Sequence, residues 1–405
     1  MEFMRKYQMK LIFFPFLMLL GIFGNPMNSQ ENIGNIGIDE NRITFGQSAA
    51  FTGPAGELGK AMRLGIQAAF EEVNSSGGVH GREINLIHLD DFYEPDRAVS
   101  NTRELIKNQN VFAIIGEVGT PTSRAVVSIS EEAGVPFIAP FTGAGFLRDR
   151  DRFETVVNIR ASYQQEINEM VERLTQDRKI SRIAVLYQND SFGRVGYNGT
   201  MNALNIYGLR LVGASVYPRN TNAVKTALYD LLIKNPEAII VVGAYEPVAT
   251  AIEWAHKVDF KPIFMTISFV GGNALASILG DKDFPDVFMT QVVPDFLATD
   301  SEIAKQYREA ISNFNPGESY GFGSFEGYLA ARVTIEALEQ CGREIDRECF
   351  LNKFNQSDEI NIGDLSFNFG EFDNQGSDEV FLTKLVTGEG FVSVRSLLDN
   401  PQGAR

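Results

Sequence analysis

Apolar residues at Leu58, Met62, Ile66, Ala69, Phe70 and Val73 recur at helical spacing, while Glu57, Lys60, Arg63, Glu71 and Glu72 fill the opposite face. That period predicts an amphipathic helix over about residues 57–74, stopped by Gly77 and Gly78. Short β-type segments at 42–47 and 83–89 flank it. Strand, helix and strand in that order make a right-handed crossover unit of a parallel sheet. Further strands are expected at 111–115, 135–139, 182–187, 209–217, 238–242 and 262–265, with helices in the intervals. The alternation points to an α/β protein.

The N-terminus follows a different pattern. Arg5, Lys6 and Lys10 precede a mostly apolar run at 11–23, too short to span a bilayer comfortably, which predicts an export signal over 1–24. Gly24 or Ser29 offers the small residue for cleavage, no Cys follows that would make a lipoprotein, and an uncleaved N-terminal anchor also fits. Residues 25–41, rich in Asn, Gly, Ser and Glu, read as a disordered lead-in.

At 405 residues the chain is long for one core, and two domains are expected. The formal net charge of −16 argues against nucleic acid or an anionic membrane as partner. Enzyme chemistry finds little support. The three histidines, His80, His88 and His256, have no metal-ligand partner at helical or hairpin spacing, so neither a metal nor a cofactor is expected. The loop 53–61 is one residue too long for a phosphate loop, and Ala61 stands where Ser or Thr is required. Asp90 and Asp91 are adjacent on a strand and point to opposite faces, which suits a solvated strand end better than an acid/base pair.

Several motifs in order carry a family resemblance: FTGPAGELGKAMRLGIQAAF after the first strand, NSSGGVHGREI, a DD pair followed by YEPDRAVSNTRELI, VFAIIGEVGTPTSRA, VPFIAP, RIAVLYQNDSFG, VVGAYEP and GFGSFEGYLAARVTIEAL. Over residues 42–395 the chain resembles the periplasmic ligand-binding proteins of the branched-chain amino-acid type. The resemblance implies two Rossmann-like lobes with parallel-rich sheets, joined by a three-segment hinge. The first lobe would take 42–160 and 294–362, the second 161–293 and 363–396. It further implies a monomer in the periplasm that closes on a small amino-acid-like, carboxylate or amide ligand and delivers it to the permease of an ABC importer. A ligand sensor signalling through a separate partner protein is the alternative; the chain carries no kinase or DNA-binding segment.

In open parallel sheets, ligands dock beyond the carboxyl ends of strands, where helix N-termini present free N–H groups. Two such ends are rich in hydroxyls: Gly119-Thr120-Pro121 after VFAIIG, and Phe141-Thr142-Gly143 after VPFIAP. Thr120 reads either as an N-cap before Pro121 or as a ligand hydroxyl. The resemblance favours the second role, since Thr120 matches the position that holds the ligand's α-carboxylate. By the same resemblance Tyr245 covers the ligand on closure, and Phe192 stands where amino-acid binders carry Tyr. Leu58 replaces an aromatic contact, and Phe51 and Phe141 make the first wall apolar. Ser268 replaces a Glu that pairs with the ligand's α-ammonium, and a serine cannot supply that charge. Cys341 and Cys349 flank a short helix–helix turn, and in an exported protein they are expected to form a disulfide.

Overall fold

The computed structural model describes residues 36–355 and 359–401. The export signal over 1–24 and most of the lead-in lie outside the described residues. At the end of the lead-in, Ile38 pairs with Ile43 and the Gly37 carbonyl accepts from the Thr44 N–H, so residues 36–41 already lie against the fold.

The first half of the chain builds one sheet. β1 (Arg42–Ala49), α1 (Gly56–Ser75), β2 (Glu83–Asp90), α2 (Pro95–Lys107), β3 (Ala113–Ile115), α3 (Thr120–Glu132), β4 (Phe137–Ile138) and β5 (Val156–Val157) follow in sequence. Their strands pair in the order β2-β1-β3-β4-β5, all parallel. Strand and helix alternate in this way because β3, β4 and β5 are fully buried apolar runs covered by helices on both faces.

A second sheet follows with α4 (Tyr163–Gln176), β6 (Ile183–Gln188), α5 (Ser191–Ile206), β7 (Gly213–Tyr217), α6 (Lys225–Leu232), β8 (Ala238–Val242), α7 (Tyr245–Lys257), β9 (Ile263–Thr266), α8 (Gly272–Leu279) and β10 (Val287–Gln291). The chain then returns to the first lobe with α9 (Glu302–Phe314), α10 (Phe322–Gln340), α11 (Arg347–Asn352) and the hairpin β11 (Glu359–Ile362) and β12 (Leu365–Asn368). It ends with β13 (Phe381–Val386) and β14 (Gly390–Val394), which add antiparallel to β10. The second sheet therefore runs β14-β13-β10-β9-β8-β6-β7. The lobe boundary expected at 362/363 falls in the turn between β11 and β12, whose strands pair, so the third crossing follows Asn368.

The predicted helix at 57–74 is α1, and its apolar stripe of Leu58, Met62, Ile66, Ala69 and Phe70 is buried. It packs on α10 at close range. A Cβ on Gly65 would stand 1.8 Å from the Ser324 carbonyl oxygen, so only glycine permits that approach. The predicted strand at 209–217 is shorter than expected, starting at Gly213, because Leu209 and Val212 turn onto the lobe-two core from a loop. Cys341 and Cys349 are bonded, with Cα atoms 6.0 Å apart, and tie the end of α10 to α11.

The two lobes are joined by three crossings: between β5 and α4, between β10 and α9, and between β12 and β13. Two of them pair with each other. The Asn158 N–H donates to the Asn374 carbonyl at 2.8 Å, and the Gly376 N–H donates to the Asn158 carbonyl at 2.8 Å. Among the described residues, no helix is long and apolar enough to cross a membrane, and no group of three or more metal-ligating side chains gathers.

Candidate functional site

Residues that follow the carboxyl ends of strands in both sheets come into contact with one another. On the first lobe, α3 begins at Thr120, so Gly119 rather than Thr120 is the N-cap. The reason is local: Gly119 holds φ 109°, a conformation L-residues rarely adopt, and a Cβ there would meet the Tyr93 ring at 2.1 Å. Freed from capping, the Thr120 hydroxyl lies 2.7 Å from that of Thr142, and both residues are fully buried. The Thr142 hydroxyl also accepts from the Ala144 N–H at 3.3 Å.

Facing these hydroxyls is an aromatic cluster drawn from both lobes. Phe269, in the turn after β9, lies 4.6 Å from Phe192, 5.8 Å from Phe141 and 6.0 Å from Tyr93, measured between ring centroids. Phe192 also packs on Tyr163 at 5.5 Å. Phe192 is the second residue of α5, whose start is fixed by the Asp190 carboxylate capping the Gly193 N–H.

A buried charge network lies at the hinge. Arg160, in the first crossing, is 1% exposed; it donates through Nη2 to the Ser268 hydroxyl and lies 4.8 Å above the Phe141 ring. Glu166 on α4 stands 3.6 Å from Arg160, and Glu326 on α10 stands 3.5 Å from it. Glu166 is well satisfied: it accepts from the Ser268 N–H at 2.8 Å, the Ser268 hydroxyl at 2.9 Å and the Thr290 hydroxyl at 2.6 Å. Burial pushes the Glu326 carboxyl up to about 7 despite the attraction of Arg160. Burial works to lower Arg160, yet Glu326, Tyr163 and Glu166 together hold it above its ordinary value. Burial also raises the Tyr163 hydroxyl to about 12.

The remaining predicted residues spread toward the rim. Tyr245 is the first residue of α7, and its hydroxyl accepts from the Glu57 N–H across the cleft at 3.4 Å. Leu58 meets Gly271 of the opposite lobe. Phe51 is not brought into the aromatic cluster; it packs edge-on against His88 with Arg63 over its face. At the mouth, Arg219 of the second lobe pairs with Glu94 of the first at 2.7 Å, and the Asn220 amide donates to the same carboxylate at 2.6 Å.

Asp90 and Asp91 divide as strand neighbours do. Asp90 accepts from Phe51, Thr52 and Phe92. Asp91, expected at a solvated strand end, is instead buried and accepts from Ser48 and the Tyr93 N–H, and burial pushes it up to about 7. Both carboxylates brace the turn that presents Tyr93. The histidines serve packing: His80 reaches the Glu339 carbonyl, and His256 sits edge-on to Phe284.

The family model described as Periplasmic binding protein matches residues 42–389. The chain belongs to that family. Among solved structures it is similar to a possible leucine/isoleucine/valine-binding protein from Rhodopirellula baltica SH 1, at 35% identity and a TM-score of 0.84, covering 89% of this chain and 98% of that one. It is also similar to a substrate-binding periplasmic protein from Ralstonia solanacearum, at 25% identity and a TM-score of 0.81, covering 87% and 99%. A curated relative, Leu/Ile/Val-binding protein homolog 7 of Brucella abortus (strain 2308), is 27% identical over 311 residues, which are 74% of this chain and 77% of the relative. The fold is that of the type I periplasmic binding proteins of the branched-chain amino-acid family, a family of extracytoplasmic solute binders rather than of enzymes.

Sequence reasoning missed Arg160, Tyr163, Glu166, Phe269, Tyr93 and Glu326. A signal was present for two of them. Glu166 occupies a position on the stripe Tyr163, Ile167, Met170, Val171 and Leu174, and Glu326 lies in the apolar run of α10, so each is a carboxylate on a face that should be buried.

Proposed function

We propose that this protein is a periplasmic solute-binding component of an ABC importer, which closes its lobes on a small carboxylate, amide or amino-acid-like ligand and presents the closed form to a membrane permease. The observation that carries the reading is the convergence of the Thr120 and Thr142 hydroxyls, 2.7 Å apart, on the first wall, opposite the aromatic wall around Phe192. A ligand carboxylate there accepts from both hydroxyls and from the first N–H groups of α3, where the helix dipole favours negative charge. Gly119 shapes the turn that presents them, Tyr245 and Leu58 close the rim, and Ser268 sits on the far wall. Phe51, turned toward His88, supports β1 and α1 behind the site. The protein acts as a monomer, without cofactor or metal, and binding is non-covalent.

A thermal-shift screen of amino acids, short-chain carboxylates and amides tests the reading. A ligand at a hundred times its dissociation constant adds about 2.7 kcal/mol to stability, and a clear rise in melting temperature is the expected outcome. A screen in which no small organic ligand raises the melting temperature counts against the reading.

A further inference from the structure

The first crossing, beside Thr142, carries a cation with unused donors. Arg160 is buried, yet its Nε and Nη1 have no hydrogen-bond partner among the described residues; Glu166 and Glu326 approach at 3.6 and 3.5 Å without accepting a well-formed bond from it. Its guanidinium is held over the Phe141 ring, next to Thr142, and against Ser268 on the other lobe, so it lies at the seam of the cleft. The Tyr163 and Tyr93 hydroxyls are likewise buried and make no well-formed hydrogen bond; Tyr163 stands beside Thr142 and Tyr93 beside Gln188. Buried donors left unpaired are costly, and a buried cation most of all.

For an ammonium group the free acceptors are Glu117 Oε1 and Glu326 Oε1, each buried without a hydrogen-bond partner among the described residues, and neither suits it. Both oxygens of Glu166 are occupied by Ser268 and Thr290. Ser268 carries no charge. Glu117 binds Ser123 and is driven toward its neutral form by burial, and Asp190 is turned to the N-terminus of α5 and to Gln188. Glu326 faces Arg160, so an ammonium reaching it would stand against the guanidinium in a low-dielectric site, where like charges repel strongly.

We propose that the cleft selects organic acids that lack an ammonium group: Thr120 and Thr142 hold the carboxylate, Arg160 supplies its positive partner, and Phe141, Phe192 and Phe269 receive an apolar or aromatic body. This rests on the solute-binding reading above and names its ligand class. Arg160 takes the role that a ligand's own ammonium would otherwise play.

Calorimetry with matched pairs decides it, each pair differing at the α-position: leucine against 4-methylpentanoate and 4-methyl-2-oxopentanoate, phenylalanine against 3-phenylpropanoate and phenylpyruvate. The wild-type protein is expected to bind the acids at least about tenfold more tightly than the matched amino acids, because the acid forms a charge-assisted hydrogen bond with Arg160 while the amino acid meets its repulsion. The paired variant Arg160→Gln/Glu326→Gln removes cation and carboxylate together; it is expected to lose that preference while still binding weakly. Should the variant fail to fold, the wild-type ratio carries the test. An amino acid that binds more tightly than its matched acid overturns this inference and leaves the solute-binding reading standing. A variant that keeps the wild-type ratio overturns the role of Arg160. If no member of either pair binds, the inference falls, and the wider thermal-shift screen alone decides whether the solute-binding reading falls with it.

Discussion

The first lobe presents two hydroxyls beside the rings of Phe141 and Tyr93, whereas the second presents rings alone at Phe192 and Phe269. Thr120 and Thr142 stand at the ends of β3 and β4, in an all-parallel sheet whose strand ends all open on the same side. Phe192, Tyr245 and Phe269 stand at the ends of β6, β8 and β9, in a sheet closed at one side by the antiparallel pair β13 and β14. Neither wall supplies the charge. Arg160 comes from the crossing itself, and its two carboxylates come one from each lobe, Glu326 on α10 and Glu166 on α4. On the proposed reading, polar capture, apolar cover and charge fall to three different parts of the chain. Changes to each should therefore read out differently.

The largest effect is expected at the hinge. Arg160→Met leaves Glu166 and Glu326 buried without their cation, and breaking such a network by removing one partner costs about 3–5 kcal/mol of stability. Urea denaturation measures it, and an unfolding midpoint equal to wild type would mean that the charge at the hinge is not structural. Changes on the walls should act on binding instead. Thr120→Ala removes a hydrogen bond to a charged group, about 1.5–3 kcal/mol of affinity, and Tyr245→Ala removes ring burial of about the same size. Calorimetry on the two variants, with circular dichroism to show that they fold, sharpens the contrast. If both bind as wild type does, the cleft is not walled as described.

A third effect concerns pH. Burial holds Asp91 and Glu326 at about 7, well above the roughly 4 of a carboxyl in the unfolded chain. A raised carboxyl favours the folded state below the unfolded value and loses that contribution as pH rises to the folded value. Stability from these two groups should therefore fall between about pH 4 and 7. Melting curves at pH 5 and 7.5 are expected to show the decline, and Glu326→Gln to reduce it. A slope that Glu326→Gln leaves unchanged would place its source elsewhere.

The alternation of elements was legible along the chain because α1 and the buried strands carry their period in plain apolar spacing. Thr120 and Thr142 were legible because they follow apolar strands at a place where parallel sheets bind ligands. Arg160 was not: in VVNIRAS nothing marks the arginine as buried, since its burial arises only when a helix from each lobe brings a carboxylate to it. Phe269 was hidden for a similar reason. It is one aromatic residue among 31 phenylalanines, and only the turn after β9 turns it inward. Phe51 shows the reverse case, where an aromatic ring in the right loop was drawn away by His88 and Arg63.

Closure about the hinge is the central claim, because a ligand held between hydroxyls on one lobe and rings on the other couples binding to compaction. Small-angle scattering on the protein alone, and with a saturating ligand found in the screen, tests it most directly. The radius of gyration should decrease on binding, as Tyr245 returns to Glu57 and Arg219 to Glu94. A radius unchanged by a ligand shown by calorimetry to be bound would contradict the account.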